Sequence, residues 1–224
     1  MRCVSVGAEK SMNVNNNYAV RQGTSAAVTE RTARYLAFKR FMDIVFALAG
    51  LLAALPVVGL FSILIRLESP GPAFYKQERV GKDGKPFYLY KLRSMKIDAE
   101  KSGAVWALKK DPRVTKVGAF IRRTRIDELP QLLNVLRGEM SLIGPRPERP
   151  VFTEQFQAEI PGFTERLAVK PGLSGWAQVN GGYDMTPREK LMFDLYYIRN
   201  LTFSLELKIM LKTCKVIWTG DGAR

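Results

Sequence analysis

A long uncharged hydrophobic segment dominates the pattern of the chain. It runs from Ile44 to Ile65 and reads IVFALAGLLAALPVVGLFSILI. As an α-helix this segment would be about 33 Å long, close to the thickness of the hydrocarbon core of a bilayer. Pro56 lies near its middle, where it removes one helical hydrogen bond and clashes with the preceding turn unless the helix bends. The pattern therefore predicts a membrane helix that is bent or broken at Pro56.

Positive charges flank the hydrophobic segment on both sides. Lys39 and Arg40 precede it, and Arg66 follows it. Because the cytoplasmic flanks of membrane helices are enriched in lysine and arginine, we expect the two ends on the same face of the membrane. We predict a re-entrant membrane helix over residues 37–66. A straight membrane span and a buried core helix are the alternatives.

Alternating hydrophobic and polar residues after the membrane segment predict a β-hairpin. Its strands are Ala73–Val80 and Phe87–Met95, and the Asp-Gly pair at 83–84 between them is a frequent hairpin turn. Alternation along the second strand places Lys91 and Arg93 on the same face. This cationic pair is either solvated surface or part of a phosphate-binding site.

Helical spacing of apolar residues predicts several helices downstream. The last of them interleaves apolar residues with three lysines, which is typical of a helix at a membrane surface, although packing on a protein core produces the same pattern. Three glycines in the predicted loop 170–181 permit close approach of the backbone to a ligand. The predicted helices cover about 113–125, the segment after Asp127, 151–159, Arg188–Arg199 and Phe203–Trp218.

These elements divide the chain into three regions. Residues 1–36 lack apolar periodicity and are predicted to be a mobile tail. Residues 37–66 are the re-entrant membrane helix, and residues 67–224 form a cytoplasmic domain. The predicted fold class is α+β and mainly helical. It describes a monotopic membrane protein with a helix broken at Pro56, a small β-hairpin and amphipathic interfacial helices.

Two adjacent acids form the strongest candidate for chemistry. Asp127 and Glu128 stand in the segment RIDELPQLLNVLRGEMSLIGPRP, just before leucines at helical spacing. Pro130 fits only the first turn of a helix and Gly138 is a plausible stop, so Asp127 is predicted at or near the N-cap. Capping alone would account for an Asp at this position.

Arginines around the acidic pair favour a bound polyanion. They are Arg122, Arg123 and Arg125 before it, and Arg146 and Arg149 after it. Guanidinium groups bind phosphate bidentately, and nearby cations keep an Asp ionised, as a nucleophile or a Mg²⁺ ligand must be. A structural cluster of salt bridges is the alternative.

Composition excludes several kinds of site. The 224-residue chain contains no histidine, which excludes Ser-His-Asp and Cys-His catalysis and His-ligated zinc. Its net charge of +14 fits a nucleic-acid binder, a protein on anionic lipid or an enzyme for phosphorylated substrates. The uncharged segment argues against nucleic acid. A membrane scaffold without activity remains a rival to an enzyme.

Six motifs in order resemble the bacterial sugar transferase family, the monotopic polyprenyl-phosphate phosphoglycosyl transferases. The chain is similar to the small members that contain only the catalytic domain. The resemblance extends from about Lys39 to Trp218. The motifs are KRFMDI, SPGPAFYKQERVG, YKLRSM, RIDELPQLLNVLRGEMSLIGPRP, KPGLSGWAQVNG and FDLYYIRN.

The resemblance implies transfer of a sugar-1-phosphate from a UDP-sugar to undecaprenyl phosphate, with release of UMP. The reaction would occur at the cytoplasmic face of the bacterial inner membrane and begin assembly of a surface polysaccharide or other glycoconjugate. A glycosyltransferase that moves sugar without phosphate would release UDP instead. The sugar and the oligomeric state are not indicated by the sequence.

The family pattern assigns roles to individual residues. Asp127 would be the nucleophile that carries the phosphosugar, with Mg²⁺ bridging it to the diphosphate, and Glu128 would be its partner. Other matching positions would bind the phosphates or the nucleotide. They are Lys91, Arg93, Arg122, Arg146, Gln178 and Asp194.

Overall fold

The computed structural model describes residues 26–99, 111–181 and 185–219. The α-helices in these ranges are α1 (Ala26–Glu68), α2 (Lys116–Arg123), α3 (Leu132–Arg137), α4 (Pro150–Glu159), α5 (Trp176–Asn180), α6 (Pro187–Arg199) and α7 (Phe203–Thr219). The strands are β1 (Phe74–Val80), β2 (Pro86–Leu92), β3 (Ser141–Ile143) and β4 (Gly172–Ser174). Short 3-10 helices cover Lys82–Gly84, Ile126–Gln131 and Phe163–Ala168. The mainly helical α+β prediction is confirmed.

Helix α1 contains the predicted membrane segment. Its part from Ala33 to Glu68 is long and apolar enough to cross a membrane. Helical conformation continues through Pro56, so the helix does not stop there as the predicted break required. A proline removes only its own N–H from the hydrogen-bond ladder, and the flanking turns keep theirs. The helix begins at Ala26, so part of the predicted N-terminal tail is helical, and residues 1–25 of that tail lie outside the described residues.

The chain separates into two compact units, residues 1–38 and 39–224. Within the larger unit, one side of α1 packs against the folded domain. Its buried positions are Asp43, Ala47, Ala54 and Ile65, at intervals that return to the same side of a helix. The opposite side exposes large apolar residues, namely Ile44, Val45, Leu48, Leu52, Leu55, Leu60 and Ile63. The helix therefore presents one apolar side to the protein and another to its surroundings.

Hydrogen bonds from polar side chains connect the first part of α1 to the domain. The guanidinium of Arg40 donates to the carbonyls of Val135 and Leu136 at 2.6 and 2.9 Å, at the end of α3. The buried carboxylate of Asp43 accepts from the backbone N–H of Leu142 at 3.0 Å. These are orphan groups of a helix end and a short strand, so α1 satisfies donors and acceptors that the domain itself leaves open.

The last residue of α1 is bound to the same domain. The carboxylate of Glu68 accepts from the backbone N–H groups of Lys116 and Val117 at 2.7 and 3.0 Å. Asp and Glu are favourable at a helix N-terminus, where free N–H groups point outward. Phe61 stacks on Phe120 of α2 with ring centroids 5.6 Å apart. Both ends of the apolar segment thus contact one folded unit.

The predicted hairpin is confirmed. Strands β1 and β2 are antiparallel, with Phe74 opposite Leu92 and Val80 opposite Pro86. The turn lies in the 3-10 helix Lys82–Gly84, where Asp83 adopts a left-handed conformation with φ of 56°. The hairpin places one face of β2 against α1 and α3 through Phe87 and Leu89. By alternation Lys91 lies on the same face of β2, two residues beyond Leu89, and it lines the site described below.

The predicted loop 170–181 is wrong in part, because it contains β4 and α5. Strand β4 pairs in parallel with β3, Ser141 beside Gly172 and Ile143 beside Ser174. A Cβ on Gly172 would come within 2.1 Å of the backbone nitrogen of Gly144. Gly172 therefore permits close contact between two backbones, where the sequence suggested contact with a ligand.

The remaining helix predictions agree with the structure within a few residues. Helices α2, α4, α6 and α7 correspond to the predicted segments 113–125, 151–159, 188–199 and 203–218. Helix α7 buries Glu206 and Ile209 and exposes Phe203, Leu207 and Leu211. It therefore packs on the domain with one side, while its position at a membrane surface stays a prediction.

Candidate active site

A cavity of about 460 Å³ lies beside the hairpin and contains both predicted catalytic acids in its wall. Strands β1 and β2, the 3-10 helix Ile126–Gln131, the loop after β3 and the start of α5 contribute to it. Five of the six other predicted ligand-binding residues also line it, namely Lys91, Arg93, Arg122, Arg146 and Gln178. The structure therefore brings together residues separated by up to about ninety positions in the sequence.

The acidic pair occupies the first turn of a 3-10 helix. Helix α2 ends at Arg123, and Arg125 then takes a left-handed conformation with φ of 61°. Asp127 was predicted at or near the N-cap, but Arg125 is the residue that precedes the helix. Asp127 lies two residues further on and makes no capping hydrogen bond. Its side chain is consequently directed to the cavity.

The carboxylate of Asp127 is buried and available. The residue is 6 % exposed, and no hydrogen bond or ion pair reaches its carboxylate from the residues that the structure describes. Burial raises the pKa of Asp127 to about 6, against the opposing effects of Lys91, Arg122 and Arg146. At neutral pH the group is mostly ionised, and it is more basic than an ordinary aspartate. These are the properties of a nucleophile or a metal ligand.

Glu128 has the opposite surroundings. Its carboxylate accepts a short hydrogen bond from the guanidinium of Arg146 and pairs with Lys91 at 3.3 Å. Arg125 lies 3.9 Å away on the other carboxylate oxygen. Burial alone would raise the pKa of Glu128, but Arg146 and Lys91 outweigh it and hold this pKa well below its usual range. Glu128 is therefore a permanently charged group that holds two cations in place.

The contacts with Glu128 also shift the pKa values of Lys91 and Arg146. Burial lowers the pKa of Lys91, and the charge of Glu128 opposes that effect. The adjacent Glu128 carboxylate raises the pKa of Arg146. With Arg122, which also lines the cavity, they form a positive wall around Asp127. Such a wall suits an anion with several phosphate oxygens.

Arg93 and Lys91 both line the cavity, but their charged end groups bind different partners. The guanidinium of Arg93 donates to the backbone carbonyls of Ser69 and Pro70 at 2.8 and 2.5 Å. Arg93 thereby fixes the turn that follows α1. Lys91 instead points to Glu128. Phosphate binding by Arg93 stays a prediction.

Gln178 lies in the cavity wall, and the two polar atoms of its side-chain amide differ in their hydrogen bonding. Its Nε2 donates to the carbonyl of Leu173 at 3.1 Å. Its Oε1 is buried and accepts no hydrogen bond from the described residues. A buried amide oxygen without a donor is costly, so this atom is a candidate for contact with a ligand.

Asp194 lies behind the cavity wall. It forms a fully buried ion pair with Arg166, whose Nη2 is 2.6 Å from the carboxylate. Arg166 also donates to the backbone carbonyl of Arg146 at 2.9 Å. Asp194 therefore acts on the site through Arg166 and the backbone that carries Arg146.

Sequence reasoning missed this supporting network. Glu148 is 3.8 Å from Arg166, 3.9 Å from Arg79 and 3.7 Å from Lys190. Burial lowers the pKa of Arg79 to about 10. Glu148 stands two residues after Arg146 and could have been suspected for that reason. No periodicity connects Arg166 with Asp194, because they lie on different elements.

The donor set fits a magnesium ion shared with a phosphorylated substrate. No group of three or more acidic or cysteine side chains that could hold a metal occurs within the described ranges. Asp127 is the carboxylate left available in the cavity, since Glu128 is engaged by cations. Mg²⁺ is commonly bound by one or two carboxylates together with substrate phosphates and water. One protein ligand is therefore sufficient when the substrate is a diphosphate.

The sequence of residues 34–220 matches the model of a protein family described as bacterial sugar transferase. The chain belongs to this family. It is accordingly an enzyme of the transferase class.

Three similar proteins have names that state a sugar-phosphate transfer reaction. The chain is 74 % identical over 162 residues to a Bacillus subtilis (strain 168) protein named "Putative undecaprenyl-phosphate N-acetylgalactosaminyl 1-phosphate transferase", covering 72 % of this chain and 90 % of that protein. An Aeromonas hydrophila UDP-N-acetylgalactosamine-undecaprenyl-phosphate N-acetylgalactosaminephosphotransferase is 50 % identical over 85 % of this chain and 46 % of its own length. An Escherichia coli (strain K12) UDP-glucose:undecaprenyl-phosphate glucose-1-phosphate transferase is 44 % identical over 78 % of this chain. The chain matches 39 % of that protein's length.

Proposed function

We propose that the protein transfers a sugar-1-phosphate from a UDP-sugar to undecaprenyl phosphate and releases UMP. This reaction would begin the assembly of a surface polysaccharide or other glycoconjugate. The observation that carries the proposal is the contrast within the acidic pair. Asp127 is buried among cations and has no bonded partner within the described ranges, while Glu128 binds Lys91 and Arg146. A free carboxylate beside positioned cations suits nucleophilic attack on a phosphate.

In the first step, a carboxylate oxygen of Asp127 attacks the phosphorus that bears the sugar. A bond forms between this oxygen and phosphorus, and the bond from phosphorus to the bridging oxygen of the diphosphate breaks. The electron pair stays on the bridging oxygen, which leaves as part of UMP. The enzyme then carries the phosphosugar as an acyl phosphate. No proton transfer is needed, in keeping with a cavity in a chain without histidine.

Cations make this attack of one anion on another feasible. Lys91, Arg122 and Arg146 are placed to bind the non-bridging oxygens and the charge that develops on the leaving UMP. Glu128 keeps Lys91 and Arg146 oriented before the substrate arrives. Orientation in advance avoids reorganisation during the reaction, which is a large part of electrostatic catalysis.

Asp127 is the residue that would hold Mg²⁺ together with the substrate diphosphate. When bound, the ion supplies positive charge that reduces repulsion between the diphosphate and the attacking carboxylate. The role of the protein is to keep this carboxylate ionised and free of other partners. The surrounding cations favour the ionised form, and Glu128 engages Lys91 and Arg146 so that they do not pair with Asp127.

In the second step, an oxygen of the lipid phosphate attacks the phosphorus of the phosphosugar. The bond between phosphorus and Asp127 breaks and regenerates the free carboxylate. The product is an undecaprenyl diphosphate sugar. A phosphate monoester is already anionic near neutral pH, so this step also proceeds without a strong general base.

Contacts of α1 support a re-entrant position of the helix in the cytoplasmic membrane, with the domain on the cytoplasmic face. Arg40 and Asp43 at one end and Glu68 at the other bind the same folded unit. A helix that crossed the bilayer would place these ends on opposite faces, about 30 Å apart. The exposed apolar side of α1 would contact lipid.

An N-acetylhexosamine is the sugar we expect. The B. subtilis and A. hydrophila relatives are both named for N-acetylgalactosamine, and they are more similar to this chain than the relative named for glucose. We therefore propose UDP-N-acetylgalactosamine as the donor to test first.

Identification of the released nucleotide tests the function. Purified protein in detergent is incubated with Mg²⁺, undecaprenyl phosphate and one UDP-sugar at a time. We expect UMP with one N-acetylhexosamine donor, and loss of UMP with Asp127→Asn. The matched control is Asp83→Asn, which changes an exposed carboxylate in the hairpin turn and should retain activity. UDP as product, or an active Asp127→Asn protein, would contradict the proposal.

A further inference from the structure

The wall of the cavity includes an apolar edge that the proposed chemistry of the phosphates does not use. This apolar rim consists of Pro72, Phe74 and Ile97. Phe74 is 51 % exposed and Ile97 is 66 % exposed. Exposed apolar side chains that share the edge of a charged cavity form a candidate contact surface for an apolar part of a ligand.

The apolar rim directly follows the membrane helix. Helix α1 ends at Glu68, and the turn that leads to Pro72 begins at the next residue. Ile97 lies against this turn, because a Cβ on Gly71 would be 2.8 Å from its Cδ1. Arg93 holds the turn in place through the carbonyls of Ser69 and Pro70. The rim is therefore fixed next to the end of α1.

The cavity wall that includes the apolar rim also contains two cations, Lys96 and Arg122. Lys96 is adjacent to Ile97, and Arg122 is close enough to Asp127 to affect its pKa. Neither side chain forms a hydrogen bond or an ion pair with another group in the described part of the chain. The cations near Glu128, in contrast, already have a protein partner. Lys96, and Arg122 once UMP has left, are thus available to the phosphate of the acceptor.

We infer that the apolar rim Pro72, Phe74 and Ile97 receives the first isoprene units of the polyprenyl phosphate, whose phosphate then binds Lys96 and Arg122. This inference rests on the proposed function and adds the entry point of its acceptor. A long polyprenyl chain stays in the bilayer, because burial of its methylene groups in lipid is favourable. An apolar surface that continues from the membrane segment lets the first isoprene units leave the lipid while the phosphate approaches Asp127. The rim at the end of α1 is such a surface.

The two half-reactions provide a selective test. Exchange of labelled UMP into the UDP-sugar requires Asp127 and the donor, and it does not require the lipid. Acceptor affinity is measured as the KM for undecaprenyl phosphate in detergent. Phe74→Ser and Ile97→Ser should each raise this KM about tenfold, which corresponds to roughly 1.4 kcal/mol. Both variants should leave the rate of UMP exchange within about twofold of the wild type.

A matched control and a short acceptor sharpen the result. Val151→Ser removes an equally exposed apolar side chain that is not in the cavity wall, and its KM should equal that of the wild type. Methyl phosphate, which lacks isoprene units, should react equally poorly with wild type and rim variants.

Three outcomes decide the inference. An unchanged KM for undecaprenyl phosphate in both rim variants would overturn it and leave the proposed function standing. Equal losses in UMP exchange and acceptor KM would also overturn it, because the rim would then serve the donor or the fold. Absence of UMP exchange in the wild type, with no release of UMP when acceptor is added, would instead refute the proposed function.

Discussion

Asp127 and Glu128 are neighbours in the sequence and opposites in their electrostatic surroundings. Glu128 meets Lys91 from β2 and Arg146 from the loop after β3, and its negative charge is stabilised. Asp127 is buried without a bonded partner among the described residues, and burial raises its pKa to about 6. The difference arises because adjacent residues in a 3-10 helix point in different directions. One acid thus organises the cations, while the other is the carboxylate that we propose reacts with the substrate.

The unpaired Asp127 should reduce the stability of the fold. Burial raises its pKa from an ordinary value of 3.8 to about 6 in the folded protein, so ionisation of Asp127 is less favourable in the folded state than in the unfolded state. Above about pH 6 the carboxylate is ionised in both states and the full cost applies; below about pH 4 it is protonated in both and the cost vanishes. We expect Asp127→Asn to stabilise the protein by about 1–3 kcal/mol at pH 7.5.

Thermal unfolding in detergent with a chelator measures this effect. Asp127→Asn should raise Tm by several degrees at pH 7.5, and the difference from wild type should disappear near pH 4. Asp83→Asn should show no such difference. A lower Tm for Asp127→Asn at pH 7.5 would show that Asp127 has a stabilising partner.

The buried pair of Arg166 and Asp194 should be important for stability. Asp194→Ala leaves the guanidinium of Arg166 buried, with Glu148 at 3.8 Å as the nearest remaining anion. Removal of one partner from a buried ion pair costs about 3–5 kcal/mol. We expect a decrease in Tm of about 5–15 °C for Asp194→Ala, and a smaller decrease for the double variant Arg166→Met/Asp194→Leu.

The matched control for this pair is Lys190→Met. Lys190 contacts the same network at Glu148 but is partly exposed, so its loss should change Tm by little. A double variant that is less stable than Asp194→Ala would mean that Arg166 is needed for its bonds to the backbone of Arg146. In that case Arg166 would stabilise the fold mainly through its hydrogen bond to the backbone of Arg146.

At the residue scale, the sequence identified most of the site and few of its contacts. The motif around Asp127 and the resemblance to a family indicated Lys91, Arg122 and Arg146, which the structure places in one cavity. The sequence could not show that Arg93 binds the turn after α1, because strand alternation describes the direction of a side chain and not its partner. The sequence also could not show that Asp194 lies behind the cavity wall and pairs with Arg166.

At the scale of elements, the site depends on how closely α2 approaches the end of β2. A Cβ on Gly118 would lie 2.0 Å from the backbone oxygen of Ser94. Gly118 stands in the first turn of α2, whose last turn carries Arg122 and leads to the acidic pair. Backbone atoms cannot move aside as a flexible side chain can. A larger residue must therefore displace α2.

Gly118→Ala should lower both stability and activity. We expect a cost of about 2–3 kcal/mol from overpacking, with UMP release reduced at least tenfold because Arg122 is displaced. The control is Gly59→Ala in α1, where a Cβ meets nothing within 4 Å and alanine is the better helix former. Normal UMP release by Gly118→Ala would show that the position of α2 has little influence on the site.

The elements themselves were predicted with uneven success. The hairpin and the amphipathic helices α4, α6 and α7 follow from strong local patterns. Strands β3 and β4 have three residues each, too few for alternation to be visible, and their pairing is parallel and distant in sequence. The left-handed Arg125 also has no local signal, since glycine or asparagine is the usual residue there. Tertiary contacts determine such features.

In the whole molecule, access of the site to a membrane lipid depends on the topology of α1. Both ends of its apolar segment should lie at the cytoplasmic face. An epitope at the N-terminus should therefore be digested by protease in inside-out membrane vesicles and protected in right-side-out vesicles, in parallel with a C-terminal epitope. Protection of the two epitopes in opposite vesicle types would demonstrate a membrane span and contradict the re-entrant proposal. The sequence predicted this topology from the positive charges on both flanks and from Pro56 near the middle of the segment. The contacts of Arg40 and Glu68 add an independent argument.

Intact-protein mass spectrometry detects whether Asp127 carries the phosphosugar between the two half-reactions. Purified protein is mixed with UDP-N-acetylgalactosamine and Mg²⁺ without acceptor and is then quenched in acid. We expect a mass increase equal to one N-acetylhexosamine phosphate in the wild type, its loss when undecaprenyl phosphate is added before the quench, and none in Asp127→Asn. An unmodified wild-type protein that releases UMP only when acceptor is present would contradict the covalent mechanism and indicate direct attack by the lipid phosphate.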